Sequence, residues 1–280
     1  MHWQTSRFRI DLTQPRVMGI VNVTPDSFSD GGRHVDPRAA IAHCERLVAE
    51  GADMLDVGGE SSRPGAPAVP AAEELRRVRG VLAAALTLGV PVSIDTCKAE
   101  VMRAALELGV DIVNDIQALR APGALDAVVA HGQAGVCLMH MRGEPATMAQ
   151  HAHYDDVVGE VGDFLARRSI DVRAAGIAAE RIVLDPGIGF AKTHAHNLEL
   201  LARQRELIAR LERPLLVGWS RKSTLGKLTG REGNDRLVAS IAAALACVAH
   251  GAKIIRVHDV AATVDALKVW RMAAGRARTT

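Results

Sequence analysis

Polar and ionisable side chains follow short apolar runs at eight places along this 280-residue sequence. The residues that follow these runs are Asn22, 58–63, Asp95, 114–115, His140, Asp185, 220–222 and 256–258. A turn after a strand needs only residues such as glycine or proline, so folding does not require a polar group at each of these positions. The repetition therefore indicates one binding or catalytic site to which all eight segments contribute.

Three of these side chains, Asp95, Asn114 and Asp185, combine acceptor oxygens with one amide donor. This set suits a flat heterocycle that presents adjacent N–H groups and a carbonyl, as on a guanidine-like edge. Lys222 can donate a hydrogen bond to a carbonyl or ring nitrogen of the same heterocycle. These four residues therefore predict a heterocycle-binding half of the site.

A second group of side chains is suited to phosphate. Arg63, Arg256 and His258 can donate charge-assisted hydrogen bonds to phosphate oxygens. Asn22 offers a hard oxygen ligand, and with phosphates it can hold Mg²⁺, which usually keeps several waters. The sequence therefore predicts that a diphosphate and Mg²⁺ bind beside the heterocycle.

Each residue taken alone also has a simpler explanation. Asp95 or Asp185 could cap the helix that follows its strand. Lys222 alone would be a solvated surface charge, and His140 alone would be a buried histidine with satisfied hydrogen bonds. His258 could form a cap pair with its acidic neighbour at the last helix. The regular recurrence of such residues favours a shared site over these separate explanations.

The elements that would position these residues alternate along the chain. Short apolar runs predict strands at 17–21, 54–57, 91–94, 111–113, 135–139, 181–184, 214–217 and 253–257. Longer patterns between and after them predict helices at 37–51, 71–88, 98–108, 123–131, 154–175, 197–210, 234–250 and 261–274. Continuous apolar runs indicate strands buried on both faces, and the alternation indicates parallel strands joined by crossover helices.

Eight such units in about 250 residues are the size of a closed β/α barrel. The alternative, an open doubly wound sheet, usually carries a glycine-rich phosphate turn after its first strand, and residues 22–26 lack that spacing. We therefore predict an α/β fold, a single (β/α)8 TIM barrel with its active site at the C-terminal ends of the strands. We expect one domain over residues 1–280, with residues 275–280 frayed.

Composition narrows the possible partners. The net charge is +2, from 34 basic and 32 acidic residues, and aromatic residues make up 3% of the chain, which argues against nucleic acid as a partner. The four cysteines are too far apart in sequence for a zinc-binding pair, and free thiols suit a reducing compartment. The chain also has neither an apolar signal segment nor an apolar run near the roughly 18 residues that span a bilayer. We expect a cytoplasmic protein that binds small-molecule substrates, without nucleic acid or membrane.

Several segments carry a resemblance to a known family. The longest are MGIVNVTPDSFSDGG at 18–32 and DVGGESSRPG at 56–65. Shorter ones lie at 93–96, 114–116, 138–141, 184–187, 220–223 and 255–260. In these segments and their order, the chain resembles the dihydropteroate synthases, a pterin-binding family, along nearly its whole length. The resemblance implies a TIM barrel, in agreement with the alternation of strands and helices.

The resemblance also implies a reaction of folate (tetrahydrofolate) biosynthesis. 4-Aminobenzoate would displace diphosphate from (7,8-dihydropterin-6-yl)methyl diphosphate to give 7,8-dihydropteroate, in a dissociative displacement in which diphosphate leaves before the amine attacks. Fixed groups that stabilise the developing charge would supply much of the catalysis. Mg²⁺ as cofactor and a homodimer are further implications of the resemblance.

Residue roles follow from the same resemblance. Asp95, Asn114, Asp185 and Lys222 would hold the pterin, with Asp95, Lys222 and Arg256 as the catalytic residues. Arg256 would cover one pterin face and reach the diphosphate together with His258, and Asn22 would bind the metal. The residues expected around the aminobenzoate are Ser62, Arg63, Pro64, Phe190 and Ser220, and Met139 and Val257 complete the predicted substrate-binding set. Apart from the resemblance, the loops 22–33 and 59–70 are long and rich in glycine, proline and serine, which predicts mobile lids over the site.

Four positions depart from the family's commoner residues. Ser62 replaces a threonine, Ile188 and Ala191 replace a phenylalanine and a glycine, and Trp219 replaces a smaller residue. We expect these changes to reshape the aminobenzoate side, which leaves the response to sulfonamides open. Two alternatives also remain at this point, a catalytically silent pterin-binding paralogue and a folate-dependent methyl-transfer barrel.

Overall fold

The computed structural model describes residues 1–24, 37–63 and 65–276. The chain opens with an antiparallel hairpin of β1 (His2–Gln4) and β2 (Arg9–Asp11). Eight parallel strands follow: β3 (Arg16–Asn22), β4 (Met54–Gly58), β5 (Val92–Asp95), β6 (Ile112–Asp115), β7 (Gly135–Met139), β8 (Ile182–Asp185), β9 (Leu216–Val217) and β10 (Ile254–Val257). Their order is β8-β7-β6-β5-β4-β3-β10-β9, and a parallel bridge between Leu184 and Leu215 joins the two ends. The predicted TIM barrel is confirmed.

Helices connect successive strands around the barrel. They are α1 (Pro37–Ala49), α2 (Ala71–Ala85), α3 (Ala99–Glu107), α4 (Ala124–His131), α5 (Val157–Ala174), α6 (His194–Ala202), α7 (Gln204–Leu211), α8 (Ser223–Thr229), α9 (Leu237–Ala249) and α10 (Val260–Arg276). Short 3₁₀ turns occur at Met148–His151, Ala179–Arg181 and Gly233–Arg236. Every predicted strand and helix overlaps an observed one. Residues 277–280, most of the segment predicted to fray, lie outside the described residues.

The helix predicted at 197–210 is two helices in the structure. The first begins earlier, because the Thr193 hydroxyl accepts a hydrogen bond from the backbone N–H of His196 and caps the helix. Arg203 interrupts the helix with φ −99° and ψ 18°, and its guanidinium pairs with Glu199 and Glu206 at 2.6 and 2.8 Å. Helix α8 and the hairpin were not predicted, because elements of seven and three residues are too short to show a clear period.

Barrel-strand side chains alternate between two faces. Those on the outer face pack against the helices in one large apolar cluster, which includes Val21, Leu55, Ile94, Leu184 and Ile255. Both faces are largely apolar near the amino ends of the strands, which explains the continuous hydrophobic runs in the sequence. Within the described ranges, no helix is long and apolar enough to cross a membrane.

The barrel interior near the amino ends of the strands is closed by the hairpin. We call this region the lower interior; its cluster consists of Trp3, Ile10, Leu12, Met18, Met54, Ile112, Cys137, Val183, Leu216 and Ile254. Trp3 is fully buried, and its indole N–H donates a hydrogen bond to the carbonyl of Arg181 at 2.9 Å. Polar residues occupy the inward positions toward the other end of the barrel.

Candidate active site

An arginine between two carboxylates occupies the barrel interior above the apolar cluster. Arg256 on β10 donates from Nε to Asp56 Oδ2 at 2.6 Å and from a terminal nitrogen to Asp95 Oδ2 at 2.7 Å. Asn114 on β6 donates from Nδ2 to the same Asp56 oxygen at 3.0 Å. We call these four residues, together with Asp185, the upper interior. Strands β4, β5, β6 and β10 thus bring residues that are far apart in sequence into one network.

Asp56 is a residue of this network that the sequence analysis did not assign to the site. Its side chain is fully buried, and its Oδ1 has no hydrogen-bond partner among the described residues. A buried polar atom without a partner costs free energy, so its presence at an interior site points to a ligand or water that completes it. The available signal was a carboxylate two residues after Met54, which places both side chains on the inward face of β4.

The pKa values in this network depend on burial and charge pairing. Burial raises the pKa of Asp95 to about 7, with the nearby Asp56 carboxylate adding to the rise and the Arg256 guanidinium opposing it. Burial alone would lower the pKa of Arg256, but Asp56 and Asp95 outweigh it, so the pKa is raised. Arg256 therefore remains a cation, while Asp95 changes charge close to neutral pH.

Asp185 and Lys222 form the other polar wall. Asp185 at the end of β8 is buried, and its Oδ1 accepts a hydrogen bond from the backbone N–H of Gly187 at 2.7 Å. Burial raises the pKa of Asp185, against the effects of that hydrogen bond and of Lys222. Burial also lowers the pKa of Lys222 to about 8, although Asp185 opposes the shift. Three of the predicted heterocycle-binding residues, Asp95, Asp185 and Lys222, therefore lie in a desolvated region where neighbouring opposite charges oppose the effect of burial on their pKa values.

An apolar cluster borders this wall. It contains Ile116, Met139, Met141, Met148, Phe190 and Ala191. The Lys222 ammonium lies 4.3 Å from the centre of the Phe190 ring, a cation–π contact that connects the polar and apolar sides. Val257, by contrast, packs in the outer cluster against the helices. Its role in substrate binding stays a prediction, and its side chain is directed away from the other predicted residues.

Two of the predicted phosphate-binding residues, Arg63 and His258, line a separate cavity of about 630 Å³, whereas Arg256 does not contribute to its wall. Asn22, Arg63, Arg221 and His258 all contribute to its wall. The Ser220 hydroxyl lies 3.0 Å from His258 Nδ1 and accepts a hydrogen bond from the His258 backbone N–H at 3.1 Å. Burial, together with nearby arginines, lowers the pKa of His258 to about 3, so this imidazole is neutral at physiological pH. It therefore offers phosphate a hydrogen bond rather than a full charge.

The loop after β4 is anchored by a buried charge cluster. Lys98 Nζ lies 2.5 Å from carboxylate oxygens of both Glu60 and Glu74, and Glu74 is fully buried. Ser62 and Arg63 lie further along this loop, with Ser62 partly buried and Arg63 exposed. Pro64 lies outside the described residues, as does most of the first predicted lid, residues 25–33. This cluster anchors the start of the second predicted lid, and Glu60 also accepts a hydrogen bond from the Val69 backbone N–H at 2.7 Å.

His140, which directly follows β7, packs against an aromatic side chain. It is buried, and its ring packs edge-on against Phe164 with ring centres 4.9 Å apart. Burial and nearby cations, Lys192 first among them, lower its pKa to about 2. The sequence analysis did not single out Lys192, which lies within hydrogen-bond distance of His140.

The residues also bear on whether Mg²⁺ fits. Among the described residues there is no group of three or more histidine, cysteine or acidic side chains placed to hold a metal ion. Asn22, whose side chain carries a neutral amide oxygen, does line the cavity together with Arg63 and His258. This chemistry fits a magnesium ion carried by phosphate oxygens and waters, with one protein ligand, rather than a protein cage.

The fold and these groups define the class of the protein, a (β/α)8-barrel enzyme with its polar residues at the carboxyl ends of the strands. The family model described as "Pterin binding enzyme" matches residues 18–258. The dihydropteroate synthase of Neisseria meningitidis serogroup B is 53% identical over 274 residues, which cover 96% of this chain and 96% of that protein. The chain therefore belongs to the pterin-binding enzyme family, and within it to the dihydropteroate synthases, transferases of the folate pathway.

Solved structures agree with this assignment. The chain is similar to Xanthomonas albilineans dihydropteroate synthase with 4-aminobenzoic acid, at 53% identity and a TM-score of 0.89 over 95% of each chain. It is also similar to Burkholderia cenocepacia dihydropteroate synthase complexed with 7,8-dihydropteroate, at 48% identity and a TM-score of 0.90, covering 100% and 98% of the two chains. The alternatives of a silent paralogue and a methyl-transfer barrel are not favoured.

Proposed function

We propose that the enzyme joins (7,8-dihydropterin-6-yl)methyl diphosphate to 4-aminobenzoate through the network around Arg256. The observation that carries this assignment is the pairing of one arginine with two carboxylates, the buried Asp56 and the partly buried Asp95. Asn114, Asp185 and Lys222 would hold the pterin edge, and Arg256 would lie over one pterin face. The side chains nearest the reacting carbon would then carry charges of both signs.

The chemistry suits a dissociative displacement. The bond between the pterin methylene carbon and the diphosphate oxygen breaks first, and the electron pair leaves with diphosphate. The remaining cation is delocalised into the pterin, and the Asp95 carboxylate stabilises it as a fixed negative charge. The neutral amine of 4-aminobenzoate then forms the C–N bond and releases a proton to solvent. The scheme requires no strong base in the site.

The diphosphate would occupy the cavity lined by Asn22, Arg63 and His258. Arg256 would reach it from the pterin side, and His258 would donate a hydrogen bond from its neutral ring. Asn22 would hold Mg²⁺ together with phosphate oxygens and waters. Bound there, the ion would neutralise charge on the leaving group.

We place 4-aminobenzoate beside Phe190, between the apolar cluster and the loop after β4. Ser62, Arg63, Pro64 and Ser220 would complete its surroundings, and Met139 would contact the substrates from β7. Support comes from the Phe190 ring, which packs under the Lys222 ammonium and therefore lies next to the pterin-binding groups. Ser62 keeps the hydroxyl of the family's commoner threonine, so a hydroxyl group remains available at this position.

A turnover assay tests this proposal. Sustained turnover should require the pterin substrate, 4-aminobenzoate and Mg²⁺ together, and diphosphate and 7,8-dihydropteroate should accumulate in equal amounts. Removing Asp185 with Asp185→Ala should weaken pterin binding by at least about tenfold, because buried donors lose a partner at about 1–3 kcal/mol. Calorimetry that finds pterin affinity unchanged in this variant would refute the assigned role.

We also propose that the barrel and its hairpin form a single domain, that the protein is cytoplasmic and that it is a homodimer. Large exposed apolar side chains on the last two helices support the dimer: Val238 is 78% exposed, Val269 71% and Met272 65%. Val269→Asp should shift the mass in light scattering to that of one chain. Ile170→Asp, at an exposed position on α5, is the matched control and should leave the mass unchanged.

A further inference from the structure

Lys192 makes an unusual set of contacts at the end of the loop that follows β8. Its ammonium nitrogen lies 2.9 Å from His140 Nδ1, 2.9 Å from the carbonyl oxygen of Phe190 and 3.1 Å from that of Gly187. A fourth acceptor, the His140 carbonyl, is 3.4 Å away. An ammonium has three protons to donate, so the three shorter contacts account for all of them.

Burial and neighbouring charges set the protonation states of His140 and Lys192. Burial lowers the pKa of His140 to about 2, so its ring is neutral and Nδ1 accepts the proton that Lys192 donates. Burial also lowers the pKa of Lys192 to about 7, with Asp185 opposing the shift and Lys222 and Arg142 adding to it. The charge of Lys192 therefore changes close to neutral pH, and even the neutral amine keeps two N–H groups to donate. No carboxylate is bonded to Lys192 among the described residues, so carbonyl oxygens and one imidazole hold its Nζ atom.

The loop that ends at Lys192 has an uncommon backbone conformation. Gly187, Gly189 and Ala191 all have positive φ angles, of 69°, 82° and 49°. Alanine adopts such an angle only at a cost in free energy, so contacts elsewhere must maintain this conformation. A side chain at Gly187 would also overlap the His140 carbonyl, which shows how closely the loop packs on the end of β7.

The two ends of this loop are held in different ways. Asp185 is fixed by strand pairing, since its carbonyl accepts a hydrogen bond from the His140 backbone N–H at 2.9 Å. Phe190 has one such backbone bond, from its N–H to the Gly187 carbonyl at 3.0 Å. The Lys192 Nζ atom contacts the carbonyl oxygens of Gly187 and Phe190 and also the His140 ring, so it connects the loop to the residue that follows β7. The position of the Phe190 ring under Lys222 therefore depends on Lys192 more than the position of Asp185 does.

We propose that Lys192 is a positioning residue that sets the aminobenzoate side of the site by fixing the 187–190 loop and its Phe190 ring. The inference rests on the placement of 4-aminobenzoate beside Phe190 proposed above. It distinguishes the two substrates, because Asn114 and Asp185, which would hold the pterin edge, lie in strands β6 and β8 that pairing already fixes. Losing Lys192 should therefore impair use of the amine far more than binding of the pterin.

The test compares Lys192→Met with the matched control Lys227→Met, at an exposed lysine on α8. In Lys192→Met the KM for 4-aminobenzoate should rise about tenfold, with pterin affinity by calorimetry and kcat each within about threefold of wild type. Lys227→Met should match wild type in all three quantities. Lys192→Gln, whose amide can donate two hydrogen bonds, should restore part of the loss.

Other outcomes would overturn the proposal. A fall in active enzyme with unchanged KM values would make Lys192 a stabilising residue only, and an equal loss for both substrates would remove the distinction. If Lys192→Met does not fold, the same KM comparison is made with Lys192→Gln and with His140→Phe, and unchanged KM values there contradict it. Wild-type turnover in the same assay tests the reaction itself, so failure of the inference and failure of the proposed function are distinguishable.

Discussion

The lower and upper interiors of the barrel lie one above the other, but the lower interior is apolar and the upper interior consists of polar and charged residues. In the lower interior, Met18, Met54 and Ile254 pack against the hairpin, with Trp3 fully buried among them. On two of the same strands, two residues further along, lie Asp56 and Arg256. One strand thus contributes an apolar residue to the fold and then a charged residue to the site.

The difference shows how the barrel separates stability from chemistry. Apolar burial in the lower interior stabilises the fold without any requirement for geometry at the level of single hydrogen bonds. Burying Asp56, Asp95 and Arg256 costs desolvation energy, which pairing offsets only in part. What the upper interior gains is a set of fixed charges in a region of low dielectric, where, in the reaction proposed above, they would act strongly on a developing cation.

The largest expected effect comes from removing the central cation. Arg256→Met should lower the free energy of unfolding by about 3–5 kcal/mol, because it leaves two buried carboxylates without their partner. Turnover should fall by about 10²–10³-fold or more, as expected for loss of a preorganised charged group. Urea unfolding and steady-state kinetics measure the two quantities. Arg79→Met, at an exposed position on α2, is the control, and equal behaviour of the two variants would contradict the charge network's importance.

The lower interior should respond in stability alone. Trp3→Ala should reduce the free energy of unfolding by about 3–5 kcal/mol, since it opens a cavity and removes the indole donor to Arg181. At a temperature where the variant is folded, both substrate KM values should equal those of wild type. A KM that rises more than about threefold would show that the two interiors are coupled more tightly than their separate contacts suggest.

A nearly isosteric change at Asp56 tests how far the upper interior depends on its negative charge. Asp56→Asn keeps an acceptor for Asn114 and Arg256 but removes a negative charge, so kcat/KM should fall by about ten- to a hundredfold with a smaller loss of stability. Asp53→Asn makes the same change just before β4, where Asp53 pairs with Arg16 at 2.9 Å. That control should leave kcat/KM unaltered. Similar losses in both variants would indicate a general effect on β4 instead.

The last prediction is a pH dependence that arises from Asp95 in the upper interior and from Lys222 beside it. Asp95, with a pKa raised to about 7, must be ionised to stabilise the cation, so kcat/KM should fall as pH drops below that value. Lys222, with a pKa lowered to about 8, must be protonated to donate to the pterin, so kcat/KM should also fall above it. The result is a bell-shaped profile of the free enzyme, with about tenfold loss per pH unit on each side. Lys222→Arg should remove the alkaline limb, and an unchanged limb would exclude Lys222 as its source.

The sequence by itself determined the architecture and the polar end of the barrel. Period and composition located all eight strands and indicated the fold, because strands buried on both faces must be apolar throughout. Residues such as Asp95, Asn114 and Asp185 were recognisable because each ends such a run. A position at a strand end is a local property, so it can be read without knowing which strands are neighbours.

Only the tertiary structure decided which of these residues touch. Asp56 and Arg256 are 200 residues apart in sequence, and closure of the barrel brings them to 2.6 Å. Lys192 looked like any loop lysine until folding placed it against the carbonyls of Gly187 and Phe190. Hydrogen bonds and pKa shifts depend on the distance between groups and on their burial. Both are determined by contacts between residues that are far apart in sequence. That is why the sequence could indicate the kinds of groups in the site but not the network that holds them.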